Sequence, residues 1–192
     1  MVPNPSPTPT SPKWRPDTLK LKSRQRTTMD LYILRHGKAE PYGGKYPADH
    51  LRPLMPKGRK RTKLSVKGMK SVDVNVDLIV SSPILRARQT AEIVHEGLGL
   101  KNPIEFSDSL ASGSVTGVMS AIQAYYSYDG VMLVGHEPTL SELISTMSSG
   151  LYHVAFNLKP GGLCKLRVNT ARIAQSATIE WFLPPKLLAA MG

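Results

Sequence analysis

The 192-residue chain, 41% hydrophobic, has the length of one core, since single domains run to about 100–200 residues. Its 25 Lys and Arg against 14 Asp and Glu give a formal charge of +11, which favours anionic partners and says nothing about fold. A lone cysteine, Cys164, excludes an intramolecular disulfide, and no window reaches the roughly 18 consecutive apolar residues of a membrane-spanning helix, so a reducing cytoplasm and no membrane partner are expected.

Residues 1–28 hold six of the 16 prolines, six basic residues and one acid. Prolines alternating with Ser, Thr and Asn deny helix and sheet hydrogen bonding, so a disordered basic extension is expected here. Two other origins fit such a segment, an organellar transit peptide and a misplaced start codon. Residues 29–192 are expected to form the folded domain. Short β-rich runs predict strands at Asp30–Leu34, Leu78–Ser81 and Gly130–Val134, each apolar enough for burial on both faces. Between them lie helical stretches at Pro56–Lys70, Leu85–Leu98, Gly117–Tyr126 and Pro138–Met147, with a short strand near Ile104. Gly162–Val168 and Ala177–Phe182 follow too closely for an intervening helix, so a terminal hairpin and a mixed sheet are expected. The alternation predicts a three-layer α/β/α sandwich with a mostly parallel mixed sheet.

Three of these strands run into unusual residues. The first ends in Arg35, His36 and Gly37; the second leads into a helix carrying Arg86; the third is followed by His136. Ligands bind at the carboxyl ends of strands in open α/β sheets. Two planar, permanently charged guanidiniums match phosphoryl oxygens, and a helix starting near Pro83 would add backbone donors. A neutral imidazole can attack phosphorus and become phosphohistidine, while a second one, if protonated, offsets charge on the group in transit. His36 is the better nucleophile, with Gly37 behind it allowing close approach of backbone and ligand, and with its other ring nitrogen oriented by a hydrogen bond.

"LRHGKAE", "SSPILRARQTAEI" and "VGHEPTLSELI" resemble the signature blocks of the histidine phosphatase superfamily, which includes phosphoglycerate mutase-like proteins, and within it the short, capless SixA group of phosphohistidine phosphatases. The resemblance runs from about Asp30 to the C-terminus and implies His36 as the phosphorylated nucleophile, with Arg35, Arg86 and His136 completing the phosphate pocket. It also implies a compact, Rossmann-like sandwich without metal or organic cofactor. "ADHLRPLMPKG" resembles the segment that flanks the pocket in that group, here with Asp49 and Arg52; "FNLKPGGLCKLRV" and "IEWFLPPKLL" resemble its closing hairpin and terminal segment. Met55 stands where a helix-capping Thr is common, which should weaken that helix start.

For the proton donor the candidates are Asp49, Glu40, Glu137 and Asp108, with Asp49 preferred for its place beside the nucleophile. Only 49 residues separate Arg86 from His136, too few for a cap, so an open site is expected. Such a site admits a phosphorylated side chain on another protein, for example a histidine phosphotransfer domain, and the expected activity is protein phosphohistidine phosphatase. A phosphatase or mutase of small phosphorylated molecules is the alternative. From other classes come an inactive phosphate-binding module and a nucleic-acid binder, the latter disfavoured by 6% aromatic residues and no reading motif. The eight cations and no acid from Arg52 to Lys70 suit either a solvated helix face, the favoured reading, or a landing strip for an acidic partner. His50, His95 and His153 receive no role, and the oligomeric state is not legible.

Overall fold

The computed structural model describes residues 27–150, 157–172 and 176–192; the expectations for the N-terminal extension up to residue 26, and His153, fall outside them. Among the described residues a six-stranded sheet forms from β1 (Thr28–Arg35), β2 (Leu78–Ser81), β3 (Glu105–Phe106), β4 (Gly130–Gly135), β5 (Leu163–Asn169) and β6 (Ala177–Leu183), in the order β3-β2-β4-β1-β5-β6. β1 to β4 are mutually parallel, and β5 runs antiparallel to both β1 and β6. The sheet is therefore mixed and closes on a hairpin, as the sequence predicts.

Alternation along β1 separates two cores. Met29, Leu31 and Ile33 join one apolar cluster with α4 (Val115–Ile122) and α5 (Thr139–Ser149). Tyr32 and Leu34 join the other, with α1 (Pro56–Ser71), α2 (Leu85–Leu98) and α6 (Pro185–Ala190). Side chains of period two pointing to opposite faces make this the middle layer of a three-layer sandwich. The chain leaves β1 toward the α1 face and β4 toward the α5 face, so the crevice between these neighbouring strands is a topological switch point. A short α3 (Ser109–Ser112) and single 3-10 turns at Asp49–Leu51 and Gln123–Tyr125 complete the described elements.

Several element ends lie one or two residues from the predicted ones, among them β1, which starts at Thr28, and α5, which runs Thr139–Ser149; two larger departures have a physical reason. The helix predicted at Gly117–Tyr126 starts at Val115, because the Ser114 hydroxyl accepts from the Gly117 N–H as an N-cap, and it tightens into the 3-10 turn after Ile122. α6 had no counterpart among the predicted helices; Pro185 at its first position is pre-organised for a helix start.

α1 lacks a side-chain cap at Met55, as expected, and carries seven cations with no acid. Like charges one turn apart cost a few tenths of a kcal/mol per pair, so tertiary contacts must hold it. Its buried face, including Gly58, Thr62, Val66, Gly68 and Met69, supplies them. Both glycines are required by close approach: a Cβ at Gly58 would overlap the Lys38 carbonyl, and one at Gly68 the Leu188 carbonyl on α6. The start of α1 is thereby pressed onto the segment that follows His36.

Candidate active site

Strand register assembles the site. Parallel pairing sets Arg35 beside Gly135, so the next residues, His36 and His136, are neighbours with ring centroids 5.0 Å apart. β2 pairs Ser81 with Val134, and the Ser82 N–H donates to the Val134 carbonyl. That brings the Ser82 hydroxyl within 2.9 Å of His136 Nε2. Antiparallel β5 and its preceding turn fix the other side: Arg35 N–H donates to Gly162 O, and Gly161 N–H donates to both Arg35 O and His36 O.

His36 Nδ1 lies 2.7 Å from the Gly37 carbonyl. A carbonyl only accepts, so Nδ1 carries the proton and Nε2 presents its lone pair. The Arg86 Nε–H donates to that lone pair at 3.2 Å. Arg86 also donates from Nη1 to Asp49 O at 2.9 Å and pairs through Nη2 with the Asp49 carboxylate at 2.8 Å. Thr90, one turn further along α2, accepts from the Gly37 N–H and donates to Arg86 O, joining the segment after His36 to the arginine. Arg35 is anchored through Nη1 to Leu158 O at 2.8 Å, and its buried Nε has no partner among the described residues.

Burial pushes the His36 ring down to about 3, helped by the nearby charges of Arg86 and Arg35 and by the adjoining His136, against the opposing Gly37 hydrogen bond. Burial, Arg86 and Arg35 likewise push His136 down to about 4. Both rings are neutral in the resting site, so the protonation of His136 that the sequence reading left conditional is not met before an anion enters. His136 Nδ1 is buried without a partner among the described residues. A histidine whose pKa is depressed on folding binds fewer protons than in the unfolded chain. Its contribution is intact above pH 6.5 and is lost as pH falls toward the folded value. His36 alone should cost about 3 kcal/mol of stability by pH 4. Chemical denaturation at pH 7 and pH 4 checks this: His36→Gln should flatten the slope, and an unchanged slope would show that the ring is not held neutral.

Asp49 accepts from Arg52 Nε at 2.9 Å as well as from Arg86, and Arg52 Nη1 reaches the Glu40 carbonyl at 2.7 Å. Partial burial works to raise the Asp49 carboxyl, but the hydrogen bonds and charges of Arg52 and Arg86 outweigh it and hold the group below the usual carboxylate range. It rests as an ion-paired carboxylate. Glu137 differs: burial raises its carboxyl against the opposing influence of Ser141 and the charge of Arg35, and its Oε1 is buried and unpartnered among the described residues.

All six residues singled out from the sequence, Arg35, His36, Asp49, Arg52, Arg86 and His136, line one solvent-open cleft, together with Lys38, Ala39, Glu137 and Pro160. No residue between 87 and 135 lines it. Neither do residues 83–85, so the start of α2 contributes the Arg86 side chain and not the backbone donors expected of it. Gly37 is needed for a different reason from the one predicted: a Cβ there would lie 2.7 Å from Thr62 Oγ1 and 3.2 Å from Leu54 Cδ2, against the protein's own packing. Asp108 does not line the cleft, and Glu40 touches it through its carbonyl bond to Arg52. Ser82, Thr90 and the Leu158 carbonyl were not singled out. Thr90 carries the only hint, a polar residue one turn after Arg86. Among the described residues no three His, Cys, Asp or Glu side chains converge to hold a metal ion.

Residues 31–114 match the family model of the histidine phosphatase superfamily, branch 1. An uncharacterized protein of Picosynechococcus is 34% identical over 157 residues, covering 81% of this chain and 94% of its own length. Phosphohistidine phosphatase SixA of Escherichia coli K12 is 29% identical over 125 residues, 64% of this chain and 76% of that protein. The solved structure of the protein histidine phosphatase SixA complexed with tungstate superposes with a TM-score of 0.71 at 25% identity, over 82% of this chain and 98% of that one. With its strand order, its paired histidines and these likenesses together, the chain belongs to the histidine phosphatase superfamily.

Proposed function

We propose that the protein is a phosphatase that removes phosphoryl groups from phosphohistidine side chains of another protein, through a covalent intermediate on His36. The observation that carries this is a neutral imidazole with its proton fixed on Nδ1 and Nε2 facing Arg86, in a cleft that is solvent-open among the described residues. An entering phosphoryl group takes the donors of Arg86 and Arg52 and meets the unpartnered nitrogens of Arg35 and His136. Its negative charge favours protonation of His136, which the resting site opposes. Nε2 then attacks phosphorus as the bond to the substrate's nitrogen breaks, and water releases inorganic phosphate from His36 in a second step. Tungstate is a tetrahedral oxyanion like phosphate, so the tungstate complex of the SixA relative supports an oxyanion pocket here.

In this scheme Asp49 holds Arg86 and Arg52 in place and is not the proton donor, which revises the role expected for it. A leaving imidazole can arrive already protonated, so a phosphohistidine substrate makes little demand on an acid. Phosphate monoesters do make that demand, and the raised Glu137 carboxyl favours a second reading in which small phosphate esters are also cleaved. Single cysteine usage and the absence, among the described residues, of a helix able to cross a membrane suit a cytoplasmic enzyme.

The test compares phosphate release from a phosphohistidine-bearing phosphotransfer protein and from an aryl phosphate. We expect kcat/KM for the phosphoprotein to be higher by about a hundredfold. Glu137→Gln should slow the ester by about tenfold or more and leave the phosphoprotein untouched. Preference for the ester would place the enzyme among small-molecule phosphatases.

A further inference from the structure

The cations of α1 are not absorbed by the fold. Among the described residues none of the seven lies within ion-pair distance of a carboxylate, and its first turn contains no acid. Arg59, Lys63, Lys67 and Lys70 recur at intervals of four, four and three, which places them on one face of the helix, and all four are exposed. Lys63, Lys67 and Lys70 also rim a groove between α1 and α2 that Val66, Ile93 and Gly97 line from within, with Glu96 on the far wall. Cationic rim and apolar floor therefore occur together.

The helix that carries this stripe starts beside the cleft. The N–H of Met55, at the start of α1, donates to the Lys38 carbonyl at 2.9 Å, and Lys38 lines the cleft. Lys63 to Lys70 span about 10 Å along the helix axis, comparable with two turns of a partner helix. Residues 47–105, which include both helices, contain no Phe, Tyr or Trp, so the surface has no platform for stacking nucleic-acid bases.

We propose that the groove and its lysine rim dock an acidic helix of the phosphorylated protein substrate, holding that protein so that its phosphohistidine enters the cleft. The proposal rests on the phosphoprotein reading of the cleft. Acidic residues spaced three or four apart on the partner meet Lys63, Lys67 and Lys70, and a small apolar residue between them seats on Val66 and Ile93. The charges also steer encounter, making association fast and salt-dependent.

The triple variant Lys63→Glu/Lys67→Glu/Lys70→Glu tests this in the full-length protein, with phosphohistidine-bearing phosphotransfer proteins and an aryl phosphate as paired substrates. Expected is a drop of at least tenfold in kcat/KM for the phosphoprotein, mainly through KM, and loss of most of the wild-type salt dependence. Aryl phosphate turnover should be unchanged, which also reports that the variant is folded. Phosphoprotein kinetics equal to wild type would overturn the docking surface and leave the phosphatase reading standing. Failure of the wild type to act on any phosphoprotein, with the ester still cleaved, would overturn both. Loss of binding to duplex DNA or to phosphatidylserine vesicles, with phosphoprotein turnover intact, would reassign the stripe to that polyanion.

Discussion

His36→Ala is expected to lower turnover of both phosphoprotein and aryl phosphate by about four orders of magnitude or more, as when a covalent nucleophile is removed from a group acting as a unit. Among the described residues no neighbour is placed to replace it. His136 directs Nε2 at Ser82, and the remaining cleft residues are cations, carboxylates or apolar. The backbone at position 36 keeps its bonds to Gly135 and Gly161 whatever the side chain, so the variant should fold. Rapid quenching of the wild type with a phosphorylated substrate should trap one phosphoryl group per chain in acid-labile, alkali-stable form, the stability pattern of phosphohistidine, and the variant should trap none. Turnover within tenfold of wild type would place the nucleophile elsewhere.

The second large effect belongs to Arg86. Alanine removes the donor to His36 Nε2, the bond to Asp49 O and the ion pair to the Asp49 carboxylate together. Loss of one preorganised donor to a developing anion typically costs about a hundred- to a thousandfold in rate, and Arg86→Ala should lose at least that in kcat/KM. Lysine should recover less than tenfold of it, because a single ammonium cannot present three N–H groups in one plane. Removing this charge also removes one of the influences that depress the His36 ring, so the NMR titration of His36 should move upward in Arg86→Ala. Full activity in Arg86→Lys would show that charge alone is used there and not the fork.

How far the sequence was legible follows from where the information lies along the chain. Arg35, His36, Arg86 and His136 stand out because each interrupts or directly follows an apolar run, and parallel pairing then brings strand ends together almost automatically. The Leu85–Leu98 helix and the Leu78–Ser81 strand match residue for residue, since periodicity and the Gly99 end signal agree. What could not be read depends on contacts across space. That Gly37 O takes the His36 proton, that Ser82 meets His136, and that Leu158 anchors Arg35 are matters of backbone path and register. The state of Asp49 was illegible for a related reason: its neighbour in sequence, Arg52, hints at pairing, but the contact to Arg86 spans 37 positions. α6 was hidden because two consecutive prolines read as a terminus to structure when they are the start of a helix.

β1 lies in the interior of the sheet, hydrogen-bonded on both edges, and His36 follows its last residue directly. Histidine on a surface loop could drift as the loop changed length; here its backbone is hydrogen-bonded on one side to Gly135 and on the other to Gly161. Lineages descended from such a protein can therefore exchange the residues that surround the cleft, or insert chain between β3 and α4, while the imidazole of His36 stays in register. Chemistry is inherited with the strand, and substrate choice varies with what is draped around it.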